Sequence, residues 1–166
     1  MLAAFACCGL WCKCRCADAF VTAGAVAIAD SIHSGGVADG TIDLIVSDHS
    51  PHETGAKLAT FPETERGMSL VEGAIQLVLQ LDQKGELGFE QSISAMTVKA
   101  AQVANQQQLG SVQHGHPADC VLFDPNGSTA FDASHWLSAG TNSPLFGQTL
   151  PGRIIGCWIN GQRVTI

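Results

Sequence analysis

The sequence predicts an α/β fold, in the order strand, long loop, three helices and a small terminal β unit. Three observations predict it. A β-branched apolar run, Thr41-Ile42-Asp43-Leu44-Ile45-Val46-Ser47, lies between Gly40 and Asp48. Apolar residues recur at helical spacing between Leu70 and Leu81. Asn160-Gly161 separates two β-rich runs near the end.

The run at 41–47 has the length and composition of a buried strand. Residues 48–66 carry two prolines, a glycine and several polar residues, and read as a long loop of the kind that is often functional. From Met68 to Leu81 the positions Leu70, Val71, Ala74, Ile75, Leu77, Val78 and Leu81 share one helical face. Ser69 or Gly67 is suited to open this helix and Lys84-Gly85 to close it. A second helical stretch is expected from Phe89 to Met96, and a third from Val98 to about Gln107 with Thr97 as its N-cap, ended by Gly110. Ala118-Asp119-Cys120-Val121-Leu122-Phe123 reads as a strand stopped by Asp124-Pro125-Asn126-Gly127. Residues 128–150 read as an irregular connection. Arg153 to Ile159, Asn160-Gly161 and Gln162 to Ile166 then form the strongest short hairpin signal. No internal repeat is visible.

The chain has 166 residues, 46% of them apolar and 14% charged, which excludes intrinsic disorder as its basis. It is too short for a complete (β/α)8 barrel, which takes at least about 200 residues. Eight Lys and Arg against 15 Asp and Glu give a formal charge of −7, with no basic run. That balance disfavours a nucleic acid or an anionic membrane as partner.

Five cysteines crowd the start: Cys7, Cys8, Cys12, Cys14 and Cys16. Cys12, Cys14 and Cys16 would share one face of a strand and could hold a soft metal, but no second pair at zinc-ligand spacing accompanies them. The plainer reading is a poorly ordered segment with reactive thiols. Cys120 and Cys157 lie in apolar runs typical of buried strands. The apolar stretch from Leu2 to Trp11 is followed, not preceded, by Lys13 and Arg15, the wrong order for a signal peptide. No apolar run reaches the ~18 residues of a membrane span. A cytoplasmic protein is expected.

The densest chemical constellation is Asp48-His49-Ser50-Pro51-His52-Glu53, directly after the first strand. α/β enzymes place catalysis at the carboxyl ends of strands. Asp48 can ligate a divalent metal or take a proton from a metal-bound water. His49 and His52 can donate hydrogen bonds or ligate, and Pro51 stiffens the loop. The competing structural account has Asp48 capping the loop and both histidines solvated.

The run from Gly40 through Ser47-Asp48-His49-Ser50-Pro51-His52 resembles the last barrel strand and loop of dihydroorotases in the amidohydrolase superfamily. Ala56-Lys57, Phe61-Pro62 and Glu65-Arg66-Gly67 resemble the loop that lies over the substrate there, and Glu72 falls in the following helix. Gly115-His116-Pro117-Ala118 through Pro125 resembles the entry to the C-terminal β-sandwich, and Asn142-Ser143-Pro144-Leu145-Phe146-Gly147 through Gly161 its closing loop and hairpin. Allantoinases and dihydropyrimidinases are related, but His52 favours dihydroorotase.

The resemblance covers roughly residues 37–166. It implies the last strand and helices of a metal-dependent hydrolase TIM barrel over 40–110 and a β-sandwich segment over 111–166. Residues 1–39 form an unmatched N-terminal segment, and 1–36 read as a translated frameshift or a misplaced start. The implied chemistry is interconversion of dihydroorotate and N-carbamoyl-L-aspartate, in pyrimidine biosynthesis. Zinc activates the water and polarises the carbonyl. Asp48 matches the aspartate at the metal that moves the proton, His52 the histidine that contacts substrate, and Arg66 and Gly67 the backbone segment that holds it.

The sequence departs from the pattern upstream. Dihydroorotase zinc is held mainly by a His-x-His pair, a carboxylated lysine and two further histidines. Before Asp48 this chain has one histidine, His33, and one lysine, Lys13. A catalytic zinc normally takes three protein ligands. His114-Gly115-His116 precedes a turn and lacks the rigid strand-end presentation of a ligand pair. His33 and His135 read as surface or packing residues. The expectation is therefore a C-terminal portion that does not retain zinc or turn over substrate alone. The alternative is a non-catalytic dihydroorotase-like partner of aspartate transcarbamoylase. Self-association through exposed edges is a further expectation.

Overall fold

The computed structural model describes residues 2–3, 35–58, 60, 65 and 67–164. The cysteine cluster at 7–16, His33 and Arg66 lie outside the described residues.

The tail builds the sheet. β1 (Leu2–Ala3), β2 (Cys120–Ala130), β3 (Thr149–Ile159) and β4 (Gln162–Val164) pair antiparallel in that order. Asn160 and Gly161 take φ of 49° and 76°, the two positive values a tight two-residue hairpin turn needs, and Ile159 pairs with Gln162 across it. The Asp119 carboxylate accepts the Asn160 N–H at 2.6 Å and fixes this turn against the start of β2. Asp124-Pro125-Asn126-Gly127 does not stop β2. Register moves from Asp124 opposite Arg153 to Ser128 opposite Pro151, so the turn formers are carried as a bulge. Pro125 lacks an N–H, which a bulge does not require. Over the stretch expected as a β-sandwich segment, the described residues contain this one sheet. Cys120 and Cys157 are half-buried free thiols on β2 and β3.

The first two of three helices pack against the sheet. A short 3-10 turn, Val71–Gly73, leads into α1 (Ala74–Gln83), followed by α2 (Phe89–Met96) and α3 (Val98–Val103). Ile75, Val78 and Leu79 of α1 meet Ile93 and Met96 of α2 and Phe123 of β2 in the main core. Each such side chain contributes about 1.5–3 kcal/mol by leaving water. Gly152 permits the close fit: a Cβ there would stand 2.1 Å from the Phe123 ring and 3.0 Å from Leu79.

Helix ends follow local chemistry. Gly85, at φ 72°, closes α1, with the Glu86 N–H on the Leu81 carbonyl and its own on that of Asp82. Asn105, at φ 55°, closes α3 the same way, through Gln106 to Ala101. That ends α3 several residues before the expected Gln107. Thr97 occupies the N-cap position of α3, but its hydroxyl donates back to the Ile93 carbonyl at 2.6 Å and caps nothing.

Two expectations change near the loop. α1 begins at Ala74, later than Ser69 or Gly67, because the preceding backbone is committed elsewhere. Ser69 N–H donates to the Asn142 carbonyl, and those of Leu70 and Val71 to His49. Residues 41–47 form no strand, although the sequence predicted a buried one. Their backbone bonds are to loops and helix ends, Ile42 N–H to Gly36 and Ile45 N–H to Ala95, and Val46 is 52% exposed. A parallel strand needs a ladder partner. Among the described residues only a single parallel bridge, His49 with Met68, takes that place. Ile42 and Ile45 still pack against Val37, Leu87 and Ala95.

A third cluster, Phe131, Leu145 and Leu150 with Leu70, Leu77 and Trp136 against it, gives the irregular connection at 131–148 its shape. The Trp136 indole lies 4.9 Å from the Phe146 ring and donates to the Gly140 carbonyl at 2.8 Å. Among the described residues no helix is long and apolar enough to cross a membrane.

Candidate functional site

The loop after the extended run turns sharply at Asp48, whose φ is 43°. Aspartate tolerates this left-handed conformation better than most residues. Its side chain is exposed, and among the described residues no hydrogen bond or ion pair engages the carboxylate. The Ser50 hydroxyl donates to the Asp48 carbonyl at 3.3 Å, and the Ser50 N–H to the Met68 carbonyl at 2.8 Å.

His49 faces inward. Its Nδ1 accepts the backbone N–H groups of Leu70 and Val71 at 3.2 and 3.3 Å, and its Nε2 lies 3.4 Å from the Ser138 hydroxyl. An accepting Nδ1 puts the ring proton on Nε2. His49 therefore satisfies backbone donors at the turn before α1.

His52 is half-buried, and its backbone N–H donates to Asn142 Oδ1 at 2.8 Å. The same Asn142 side chain donates through Nδ2 to the Ser50 carbonyl at 3.0 Å and to the Gly67 carbonyl at 3.2 Å. Gly67 has φ 101°, and a Cβ there would stand 2.3 Å from Ser50 Cβ. Only glycine lets these two segments touch. Glu72 fixes the other flank: its carboxylate accepts the Leu137 and Ser138 N–H groups.

Between the two segments, a 3-10 turn (Thr54–Lys57) closes on Glu65. The Lys57 ammonium donates to the Glu65 carbonyl, and the Glu65 N–H to Ala56. Asp48, His52 and Gly67 thus belong to one hydrogen-bonded loop cluster. Arg66, the fourth residue singled out in the sequence, lies outside the described residues.

The described residues do not supply a complete zinc ligand set. Among them, no three His, Cys, Asp or Glu side chains come together. His49, adjacent to Asp48, spends Nδ1 on two amides. His116 Nδ1 lies 2.7 Å from the Ser111 hydroxyl, and His135 is engaged by Asp132 and Ser134.

Sequence reasoning missed Asn142, Ser138 and the cap role of His49. Asn142 lies 90 residues from His52, and although its run resembles the closing loop, nothing local in the sequence joins it to the Asp48 loop.

The sequence matches the amidohydrolase family over residues 5–164. The chain belongs to the amidohydrolase family. The match reaches into the N-terminal segment that the sequence reading sets apart. This amidohydrolase chain is 36% identical over 129 residues to a dihydroorotase of Syntrophus aciditrophicus, covering 78% of this chain and 30% of the relative. It is 40% identical over 126 residues to a dihydroorotase-like protein of Pseudomonas aeruginosa, covering 76% of this chain and 29% of the relative. The chain thus spans about 30% of the length of the curated relatives it matches. Its fold is that of the matching part of a D-hydantoinase (dihydropyrimidinase) from Thermus sp., with TM-score 0.72 at 23% identity over 80% of this chain and 30% of that one. An L-hydantoinase (dihydropyrimidinase) from Arthrobacter aurescens gives TM-score 0.71 at 26% identity, over the same shares. The described part of the amidohydrolase fold is the helical layer, its antiparallel sheet and the loop cluster around Asp48.

Proposed function

We propose that this chain carries the proton-transfer loop of a cyclic amide hydrolase of the dihydroorotase type, acting on dihydroorotate and N-carbamoyl-L-aspartate. The observation that carries this reading is Asp48: an exposed carboxylate with no partner among the described residues, on a loop pinned through its neighbours. In the hydrolytic direction Asp48 takes a proton from water as the oxygen attacks the ring carbonyl. It returns the proton to the ring nitrogen as the C–N bond breaks. His52, Arg66 and Gly67 hold the substrate. The resemblance brings zinc with it, and Asp48 is the residue of this chain proposed as a ligand. The other ligands are proposed to come from outside the described residues.

A hybrid tests this reading: residues 37–166 replace the matching stretch of the Syntrophus aciditrophicus dihydroorotase. The hybrid is expected to form dihydroorotate from N-carbamoyl-L-aspartate, and Asp48→Asn to abolish it. The chain alone is expected to show no turnover. Equal turnover by hybrid and Asp48→Asn hybrid would overturn the assignment of Asp48.

The similarity to the Pseudomonas aeruginosa dihydroorotase-like protein supports a second reading. Here the chain is a non-catalytic partner of aspartate transcarbamoylase. Co-purification with that enzyme, and a folded but inactive hybrid, are the results that favour it.

A further inference from the structure

We infer that Asn142 is a positioning residue: its side-chain amide sets the candidate proton-transfer loop and the candidate substrate contacts in one fixed relation. The inference rests on the hydrolase reading for its chemical meaning, though not for its geometry.

The side chain uses both of its ends. Oδ1 accepts the His52 N–H at 2.8 Å and the Ser69 hydroxyl at 3.3 Å. Nδ2 donates to the carbonyls of Ser50 and Gly67, and the Asn142 carbonyl accepts the Ser69 N–H at 3.2 Å. One residue therefore bonds to the segment following Asp48 and to the segment following Arg66. The stretches 48–52 and 67–69 carry Asp48, His52 and Gly67, three of the residues assigned to proton transfer and substrate binding. Among the described residues the direct backbone bonds between 48–52 and 67–69 are few, the Ser50 N–H to Met68 being the one that closes them. Neither half of the amide can be dispensed with. A carboxylate here would keep an acceptor for His52 but present negative charge to two carbonyls. A methyl group would leave donors and acceptors on both sides unmet.

Neighbouring contacts show that the position is built for this. Gly140, two residues earlier, lies against Pro51 and the His52 nitrogen so closely that a Cβ would stand 2.5 Å from Pro51 Cβ. Ser138 approaches His49, and the Ser138 amide is held by Glu72. The stretch 138–142 thus lies along the loop from His49 to His52. Asn142 is the member of it that also reaches Gly67.

The test has two arms. In the first, amide hydrogen exchange is read on the full chain. Asn142→Ala is expected to speed exchange at His52 and Ser50 by about tenfold or more, leaving the α2 amides unchanged. Asn142→Asp is expected to keep His52 protected, because Oδ1 still accepts its N–H, while speeding Ser50, because loss of the Nδ2 bonds to the Ser50 and Gly67 carbonyls loosens the two segments that the Ser50 N–H bond to Met68 spans. Unchanged exchange at both amides, or an equal rise throughout the molecule, overturns the inference. In the second arm the hybrid enzyme is assayed. Asn142→Ala is expected to lower kcat by about tenfold or more and to raise KM, with Asn142→Asp lowering kcat with less effect on KM. Wild-type kinetics in a hybrid carrying Asn142→Ala overturn the inference. Absence of turnover in the unmodified hybrid overturns the hydrolase reading instead, and the exchange arm then decides the positioning role alone.

Discussion

The Glu72 carboxylate accepts the Ser138 N–H at 2.6 Å across 66 residues of sequence. A second bond, from the Leu137 N–H at 3.0 Å, makes the carboxylate an anchor for the connection that runs over the candidate site. Removing such an acceptor leaves two backbone donors without it and costs about 1–3 kcal/mol. Glu72→Ala is therefore expected to lower the urea midpoint, with Glu72→Gln losing about half as much because one acceptor oxygen remains. Trp136, next to Leu137 and packed on Phe146, should shift its emission to the red in Glu72→Ala. An unshifted urea midpoint with unchanged emission would show that the anchor contributes nothing.

The core makes a sharper contrast. Leu79 is 5% exposed between α1, α2 and the Phe123 ring, whereas Leu58 is 82% exposed. Leu79→Ala removes buried methyl groups and leaves a cavity, at a cost of about 2–5 kcal/mol. Leu58→Ala removes a side chain already in water and should change stability by less than about 0.5 kcal/mol. Thermal unfolding of the two variants side by side checks the pair, and equal losses would contradict the packing described.

What the sequence made legible follows the range of the forces involved. α2 spans the residues its periodicity predicted, Gly85 ends α1 and Asn160-Gly161 turns the hairpin, since short-range sterics and spacing decide each of these. α1 starts later than its spacing predicts because His49 and Asn142, distant in sequence, take the backbone donors at 69–71. The bulge at 125–127 has the sequence of a stop because a turn former looks the same when the partner strand carries it along. The run at 41–47 has a strand's composition, but strand pairing depends on a neighbour that composition does not contain. In the candidate site the Asp48–His52 segment was legible as chemistry, while Asn142 was invisible as its support.

Asp132 gives a pH signature in the same connection. The Ser134 hydroxyl, and after it His135, hold its carboxyl down to about 2, against an ordinary 3.8. A pKa lowered on folding stabilises the folded state above the unfolded value of 3.8, and that contribution is lost as pH falls through about 2. The group is fully exposed, so the effect on global stability is small and the titration itself is the readout. A carboxyl-carbon NMR titration should find the midpoint near 2, and Ser134→Ala should move it back toward 3.8 further than His135→Ala does. A wild-type midpoint already at 3.8 would contradict the hydrogen-bonded turn.

Asp48 and His49 are neighbours in sequence and should behave as opposites. Asp48 is exposed, its carboxylate engages nothing among the described residues, and its φ of 43° is one that asparagine adopts as readily. Asp48→Asn should therefore leave the unfolding midpoint of the chain unchanged while removing the proton acceptor on which the proposed chemistry depends. His49 is half-buried, and its Nδ1 takes the Leu70 and Val71 amides at the entry to α1. His49→Ala leaves those donors without a partner at a helix entry, a loss of about 1–2 kcal/mol. His49→Asn, whose side-chain oxygen offers an acceptor on a shorter stem, should recover part of it. Chemical denaturation of the three variants separates a residue kept for chemistry from one kept for structure. The assignment fails if Asp48→Asn destabilises the chain and His49→Ala does not.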